Sequence, residues 1–240
     1  MRLLLTRPRA DSERLAADLA GRGVASLIEP MLSIRRSRRQ APPLAGVQAL
    51  IFTSRNGVGA WCRLSGRRDL TVFAVGDASA EAARSAGFRR ILSAAGAVRD
   101  LVPLVAAQAD PGAGELVHAT GRDVAGDVAG DLAAMGFAVR TVILYRAVAR
   151  TRLTERCRRA LAQGRLDGVV FFSARTARIF AGLIRAQGTK KDCRPLTAYC
   201  MSRRAADAAR ALPFHRVLAA HHPTSAAMTD LIERETKRKP

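Results

Sequence analysis

The segment Val72-Phe-Ala-Val-Gly-Asp-Ala-Ser-Ala-Glu-Ala-Ala-Arg84 is matched without a gap by Ala198-Tyr-Cys-Met-Ser-Arg-Arg-Ala-Ala-Asp-Ala-Ala-Arg210. In both copies a short apolar run gives way to a Gly or Ser turn and then to an Ala-rich, helix-forming stretch. Both continue to Phe88 and Phe214, and then to the strand-like runs Arg90-Ile91-Leu92 and Arg216-Val217-Leu218. A second pair lies upstream. Ala49-Leu-Ile-Phe-Thr-Ser54 resembles Gly168-Val-Val-Phe-Phe-Ser173, and the turns that follow are Arg55-Asn56-Gly57 and Ala174-Arg175-Thr176. A third pair sets Ala16–Ala25 against Ala129–Ala138. The period is about half of the 240 residues, too long for a solenoid, so the repeat points to two related domains.

Short apolar runs alternating with helical stretches imply parallel α/β sheets. Gly23 and Gly136 stand where helix C-caps are expected. The pieces come in an informative order: a βαβ unit at 3–34, a Ser-turn unit at 49–92, a second βαβ unit at 115–148 and a second Ser-turn unit at 168–218. Two consecutive domains would satisfy that order. So would an exchange, in which the first βαβ unit completes the sheet of the last segment. Ser33–Pro43, with Arg35, Arg36, Arg38 and Arg39, reads as a linker, and so does Ala147–Leu153, flanked by Arg146 and holding Arg150 and Arg152. Two linkers of like character favour the exchange, because the chain then crosses twice. The expected domains are 1–36 plus 149–240, and 37–148.

The composition, 48% hydrophobic and 25% charged, is that of a globular protein and excludes disorder as the main state. Lys and Arg total 40 against 20 Asp and Glu, a net charge of +20, and Lys occurs only at 190, 191, 237 and 239. Such a field favours an anionic partner: nucleic acid, an anionic surface or a polyanionic small molecule. Cys62, Cys157, Cys193 and Cys200 form no CxxC pair, which argues against zinc and for a reducing compartment. His118, His215, His221 and His222 show no ligand spacing, so no metal is expected. No GxGxxG or P-loop is present. No signal peptide or membrane span is legible, and the chain reads as soluble and cytoplasmic, with no membrane partner. A basic nucleic-acid-binding protein without enzymatic activity is the alternative reading. Aromatics at 5% leave it few stacking platforms.

The chain resembles the uroporphyrinogen-III synthase family. The resemblance rests on Leu5-Thr6-Arg7-Pro8, Glu29-Pro30-Met31-Leu32-Ser33-Ile34, Ile51-Phe52-Thr53-Ser54-Arg55-Asn56-Gly57-Val58 and Ala74-Val75-Gly76-Asp77-Ala78-Ser79-Ala80. It extends through Thr141-Val142-Ile143-Leu144-Tyr145-Arg146, Phe171-Phe172-Ser173 and His222-Pro223-Thr224. It implies two flavodoxin-like parallel-sheet domains, an internal duplication with an exchanged N-terminal segment, joined by a two-stranded linker. It also implies a cofactor-free lyase acting in the cleft between them. Hydroxymethylbilane, a linear tetrapyrrole with eight carboxylates, loses its hydroxyl as water and closes with inversion of the last ring. A monomer in transient contact with the preceding pathway enzyme is expected. Where many members have Gly-Pro-x-Thr this chain has Ser202-Arg203-Arg204-Ala205, and Ser79 stands where Thr is common.

In open α/β sheets ligands bind beyond the carboxyl ends of the strands. There fall Thr6, Arg7, Ser54, Arg55, Asn56, Gly76, Gly121, Arg122, Ser173, Ser202 and Arg203, and with Ser79 and Arg175 these are the expected substrate-binding residues. Arginine forks suit carboxylates. Ser54, Ser173 and Ser202 also suit helix N-caps. Tyr145, whose repeat counterpart is Leu32, is the expected catalytic residue; the resemblance puts it beside the departing hydroxyl as a hydrogen-bond donor.

Overall fold

Leu3, Leu4 and Leu5 have no exposed surface. A strand so apolar on both sides belongs inside a sheet that is covered on both faces. The computed structural model describes residues 1–37, 40–94, 96, 98–123 and 126–237. In chain order its elements are β1 (Arg2–Leu5), α1 (Arg9–Ala20), β2 (Ala25–Ile28), β3 (Leu32–Arg36), β4 (Val47–Phe52), α2 (Arg55–Trp61), β5 (Thr71–Ala74), α3 (Asp77–Ser85), β6 (Ile91–Ser93) and α4 (Val98–Gln108). There follow β7 (Glu115–Gly121), α5 (Val128–Ala133), β8 (Val139–Ala149), α6 (Glu155–Ala162), β9 (Gly168–Phe171), α7 (Ala174–Ala186), β10 (Thr197–Cys200), α8 (Arg203–Ala209), β11 (Arg216–Ala219) and α9 (Ser225–Lys237).

The strands form two sheets, ordered β11-β10-β9-β1-β2 and β3-β8-β7-β4-β5-β6. Numbered from β1 and from β7, both carry the flavodoxin-like order 2-1-3-4-5, with β3 added outside β8. In the second sheet the leading pair, β7 and β8, comes last in sequence. The duplicated α/β architecture is therefore an exchanged one. Two compact units result: Met1–Ser33 with Val148–Pro240, and Ile34–Ala147.

Both faces of each sheet are packed. Leu3 and Leu5 meet Leu15 and Leu19 of α1 and Met228 and Ile232 of α9, while Leu4 packs with Phe171 and Phe180. In the second unit Leu50 and Phe52 pack with Val58 and Trp61 of α2; Ala49 and Ile51 face Leu101, Val105 and Leu132. Truncating such a leucine costs about 2–5 kcal/mol. The duplicated helices α1 and α5 end alike. Gly23 and Gly136 take φ of 72° and 88°, and the next residues, Val24 and Phe137, donate back to Leu19 and Leu132. This closes a Schellman motif that a side chain at positive φ would strain.

Two expectations need correction. The last strand of the βαβ unit read at 3–34 is broken into β2 and β3, because Pro30 has no N–H to give to a ladder. The segments read as linkers, Ser33–Pro43 and Ala147–Leu153, are strand in their first residues. β3 and β8 are sheet neighbours, and the Ser37 N–H donates to Leu144 O at 2.7 Å, so the two crossing segments satisfy each other's backbone. Arg38 and Arg39 of the first linker lie outside the described residues.

Gly168 marks the tightest point of the first sheet. A Cβ there would lie 2.5 Å from Thr197 O, 2.8 Å from the Tyr199 ring and 3.1 Å from Leu3 Cδ2. Gly168→Ala therefore forces β9 away from β10, and denaturant unfolding should show a loss of about 1–3 kcal/mol. Unchanged stability would mean that the β9 backbone can shift at no cost.

Candidate functional site

A sheet of order 2-1-3-4-5 has one switch point, where neighbouring strands send their connections to opposite faces and leave a crevice at the carboxyl ends. In the second unit that point lies between β7 and β4, with β8 next to β7. Ser54 follows β4 in extended conformation and caps α2, its Oγ accepting from Gly57 N–H at 3.1 Å. The same Oγ lies 2.7 Å from the Tyr145 hydroxyl. Gly57 has to be glycine for this turn to seat, since a Cβ would meet Ala119 O of β7 at 2.7 Å.

Tyr145 is aimed by a bulge. Thr120 pairs with Ile143 and Gly121 with Tyr145, so Leu144 is the extra residue on β8. The tyrosine ring then lies against the Gly121 backbone. A Cβ on Gly121 would be 2.6 Å from both Cε2 and Cζ. Arg122 follows, its N–H donating to Tyr145 O at 2.9 Å. Tyr145 and Arg122 line a cavity of about 330 Å³. Burial raises the Tyr145 phenol above its ordinary pKa, with the Ser54 hydrogen bond opposing and the Asp123 carboxylate adding to the rise. The phenol is neutral at physiological pH and can donate.

At the same switch point is a buried polar cluster. Thr53 Oγ1 lies 3.3 Å from Thr120 Oγ1 and 3.5 Å from His118 Nε2. Burial takes His118 down to a pKa of about 4, against a small opposing pull from Asp127. His118 is a neutral polar core residue, and among the described residues no group of three or more His, Cys, Asp or Glu could hold a metal.

In the first unit the strand ends are braced differently. Thr6 is fully buried and its hydroxyl donates to Val170 O at 2.6 Å, tying β1 to β9 rather than facing solvent. Arg7 lies over the Phe172 ring at 4.1 Å and pairs with Asp11. Ser173 and Ser202 cap α7 and α8, accepting from Thr176 N–H and Ala205 N–H; Arg175 and Arg203 fall in the first turns of these helices. In the second unit Gly76 precedes α3 in extended conformation, Arg55 and Asn56 open α2, and Ser79 is buried within the first turn of α3. The structure thus gathers Ser54, Gly121, Arg122 and Tyr145 at one point. Sequence reasoning did not connect Arg35, Arg36, Ile143 and Arg146 with this point, although all four line the cavity; the arginine cluster in the segment read as a linker was the available signal.

The sequence model described as Uroporphyrinogen-III synthase HemD matches residues 13–230. The chain belongs to the uroporphyrinogen-III synthase family. It is an enzyme of the lyase class in tetrapyrrole biosynthesis, and no finding supports a nucleic-acid-binding protein instead. A mutant uroporphyrinogen III synthase from Thermus thermophilus shares the fold with a TM-score of 0.55 at 19% identity, each chain covered over 100% of its length. The Helicobacter pylori uroporphyrinogen-III synthetase gives 0.65 at 15% identity, covering 98% of this chain and 100% of its own. No curated protein sequence matches the chain. Among the described residues no helix is long and apolar enough to cross a membrane.

His118 makes the pH dependence of stability testable. Its ordinary pKa is 6.5 and its folded value about 4, so between these values the unfolded chain binds the extra proton. Its contribution is complete above pH 6.5 and is lost as the pH falls toward 4, by about 3 kcal/mol in all. Unfolding midpoints across that range should slope less in His118→Gln than in the wild type. Parallel slopes would mean that His118 titrates normally.

Proposed function

We propose that the protein converts hydroxymethylbilane to uroporphyrinogen III, with Tyr145 as the donor to the departing hydroxyl. The observation that carries this reading is the pairing of a neutral, half-buried phenol with the cap serine of α2 at a switch point. The pyrrole nitrogen lone pair pushes toward the hydroxymethyl carbon, and the C–O bond breaks with its electron pair leaving on oxygen. A proton on that oxygen completes water. The last ring's substituted carbon then attacks the exposed methylene and becomes quaternary. Its older bond to the neighbouring methylene breaks with the electron pair returning to the ring. That methylene, now the electrophile, is captured by the same ring's free α-carbon, whose proton leaves to restore aromaticity with the ring inverted.

Ser54 orients the donor. Either hydroxyl can donate across the 2.7 Å between the two oxygens; in the proposed arrangement Ser54 donates to the Tyr145 oxygen, which leaves the phenol proton for the substrate. The remaining work is positioning, which supplies roughly 7–11 kcal/mol in favourable cases. No cofactor is needed. Arg7, Arg55, Arg122, Arg175 and Arg203 bind carboxylates through charge-assisted hydrogen bonds. Asn56, Gly76, Gly121 and the capped turns at Ser173 and Ser202 add polar contacts. Thr6 and Ser79 hold their loops from within. A monomer in the cytoplasm, close to the enzyme that makes the unstable bilane, completes the reading.

Timed consumption of freshly made hydroxymethylbilane tests it. Tyr145→Phe should turn over roughly tenfold to a hundredfold more slowly, with unfolding midpoints little changed. Ser54→Ala should also slow the wild-type enzyme but add little to the loss in Tyr145→Phe, because the two act as one unit. A folded Tyr145→Phe enzyme at full rate overturns the role of the phenol. A wild-type enzyme that leaves the spontaneous rate unchanged overturns the substrate.

A further inference from the structure

The cavity beside Tyr145 has a composition that the reaction step alone does not explain. Its walls include Arg35 and Arg36 from β3, Arg122 after β7, and Ile143 and Arg146 from β8. Four arginines thus line one space, and among the described residues no carboxylate lines it. None of the four makes an ion pair or a side-chain hydrogen bond with a described residue. Other arginines have carboxylate partners, among them Arg67 with Asp69 at 2.9 Å, Arg140 with Glu115 at 2.7 Å and Arg159 with Glu155 at 2.8 Å. Gathering four like charges costs repulsion that an anion would relieve.

The second feature is apolar. Ile143 is 40% exposed, one of two large hydrophobic side chains so exposed among the described residues. A flat ring can rest on it while anionic arms reach the arginines. The third is size. About 330 Å³ is at the small end of the ~300–1,000 Å³ range of ligand pockets. It suits one carboxylated ring with its arms, not a tetrapyrrole of four.

We propose that Arg35, Arg36, Arg122 and Arg146 form a carboxylate pocket that grips the pyrrole ring carrying the departing hydroxyl. The assignment to that ring rests on the proposed role of Tyr145, which lines the same space. The arms of a ring held there are fixed a few bonds from the carbon that reacts. The crossing strands β3 and β8 are then part of the binding site as well as connections between units.

The test compares wild type, Arg146→Gln and the double variant Arg35→Gln/Arg36→Gln on two substrates. One is hydroxymethylbilane; the other is an analogue whose hydroxymethyl-bearing ring has a methyl group in place of its acetate arm. On the natural substrate each variant should raise KM about tenfold while kcat changes less than about threefold, the pattern of lost uniform binding. On the analogue the wild type should show a similar KM, and the variants should lose little more. Variants with unchanged KM, or losses that simply add on the analogue, overturn the pocket. Fluorescence titration with uroporphyrin III, an octacarboxylate, separates the two proposals. If the wild type binds it and the variants bind about tenfold more weakly, the carboxylate pocket stands even should turnover fail. If all bind alike, it falls although the reaction stands. Arginine-dependent binding of a single-stranded oligonucleotide, with KM unaltered, also overturns it. Unfolding midpoints matching the wild type exclude a folding defect in each variant.

Discussion

Strand β1 lies between β2 and β9, and this placement governs everything else in the chain. Leu3 pairs with Gly168 and Leu5 with Val170, and the Arg2 N–H reaches the Asp167 carboxylate at 2.7 Å. An interior strand contributed from 165 residues away cannot be left unpaired without exposing three leucines and a row of backbone groups. The first unit is therefore incomplete until the chain has left it, built the second unit and returned. Two crossings are compulsory. Lying side by side as β3 and β8, they satisfy each other's backbone. The returning one is an 11-residue strand that carries Tyr145 near its end, where a bulge turns the ring onto Gly121.

The chemistry follows from the protonation states that burial imposes at this point. Burial holds the Tyr145 phenol protonated and His118 neutral. What remains are hydrogen-bond donors and arginines, suited to holding an anionic chain in one geometry and weak at bond-breaking in their own right. That balance fits a substrate whose bond breaks readily and whose difficulty is regiochemical. Part of the basic charge is compensated locally on helices, as in the Glu81–Arg84 and Glu155–Arg159 pairs; the net +20 is what remains. Four of the arginines that contribute to it line the pocket beside Tyr145.

The gapless repeat carried the fold well, because apolar runs buried on both faces and Ser or Gly turns leave the same signature in each copy. Helix caps at Ser54, Ser173 and Ser202 were legible for the same reason: capping is local chemistry. Long-range placement was not. Nothing in the spacing of Ser54 and Tyr145, 91 residues apart, says that their hydroxyls meet. Thr6 sits in a motif that invites a ligand-binding reading, yet its neighbour across the sheet, Val170, takes its proton. Arg35 and Arg36 read as part of a linker because strand pairing between two crossing segments is set by the fold and has no periodic mark in sequence. The break at Pro30 was visible in the residue itself and passed over in favour of the apolar run around it.

Isomer composition decides whether positioning is the enzyme's work. Freshly made hydroxymethylbilane should give the wild type and Tyr145→Phe the same product, uroporphyrinogen III, since regiochemistry depends on how the whole chain is gripped and not on one donor. Chromatographic separation of the oxidised products reads this directly. Formation of the type I isomer alone by the folded wild-type protein would contradict it.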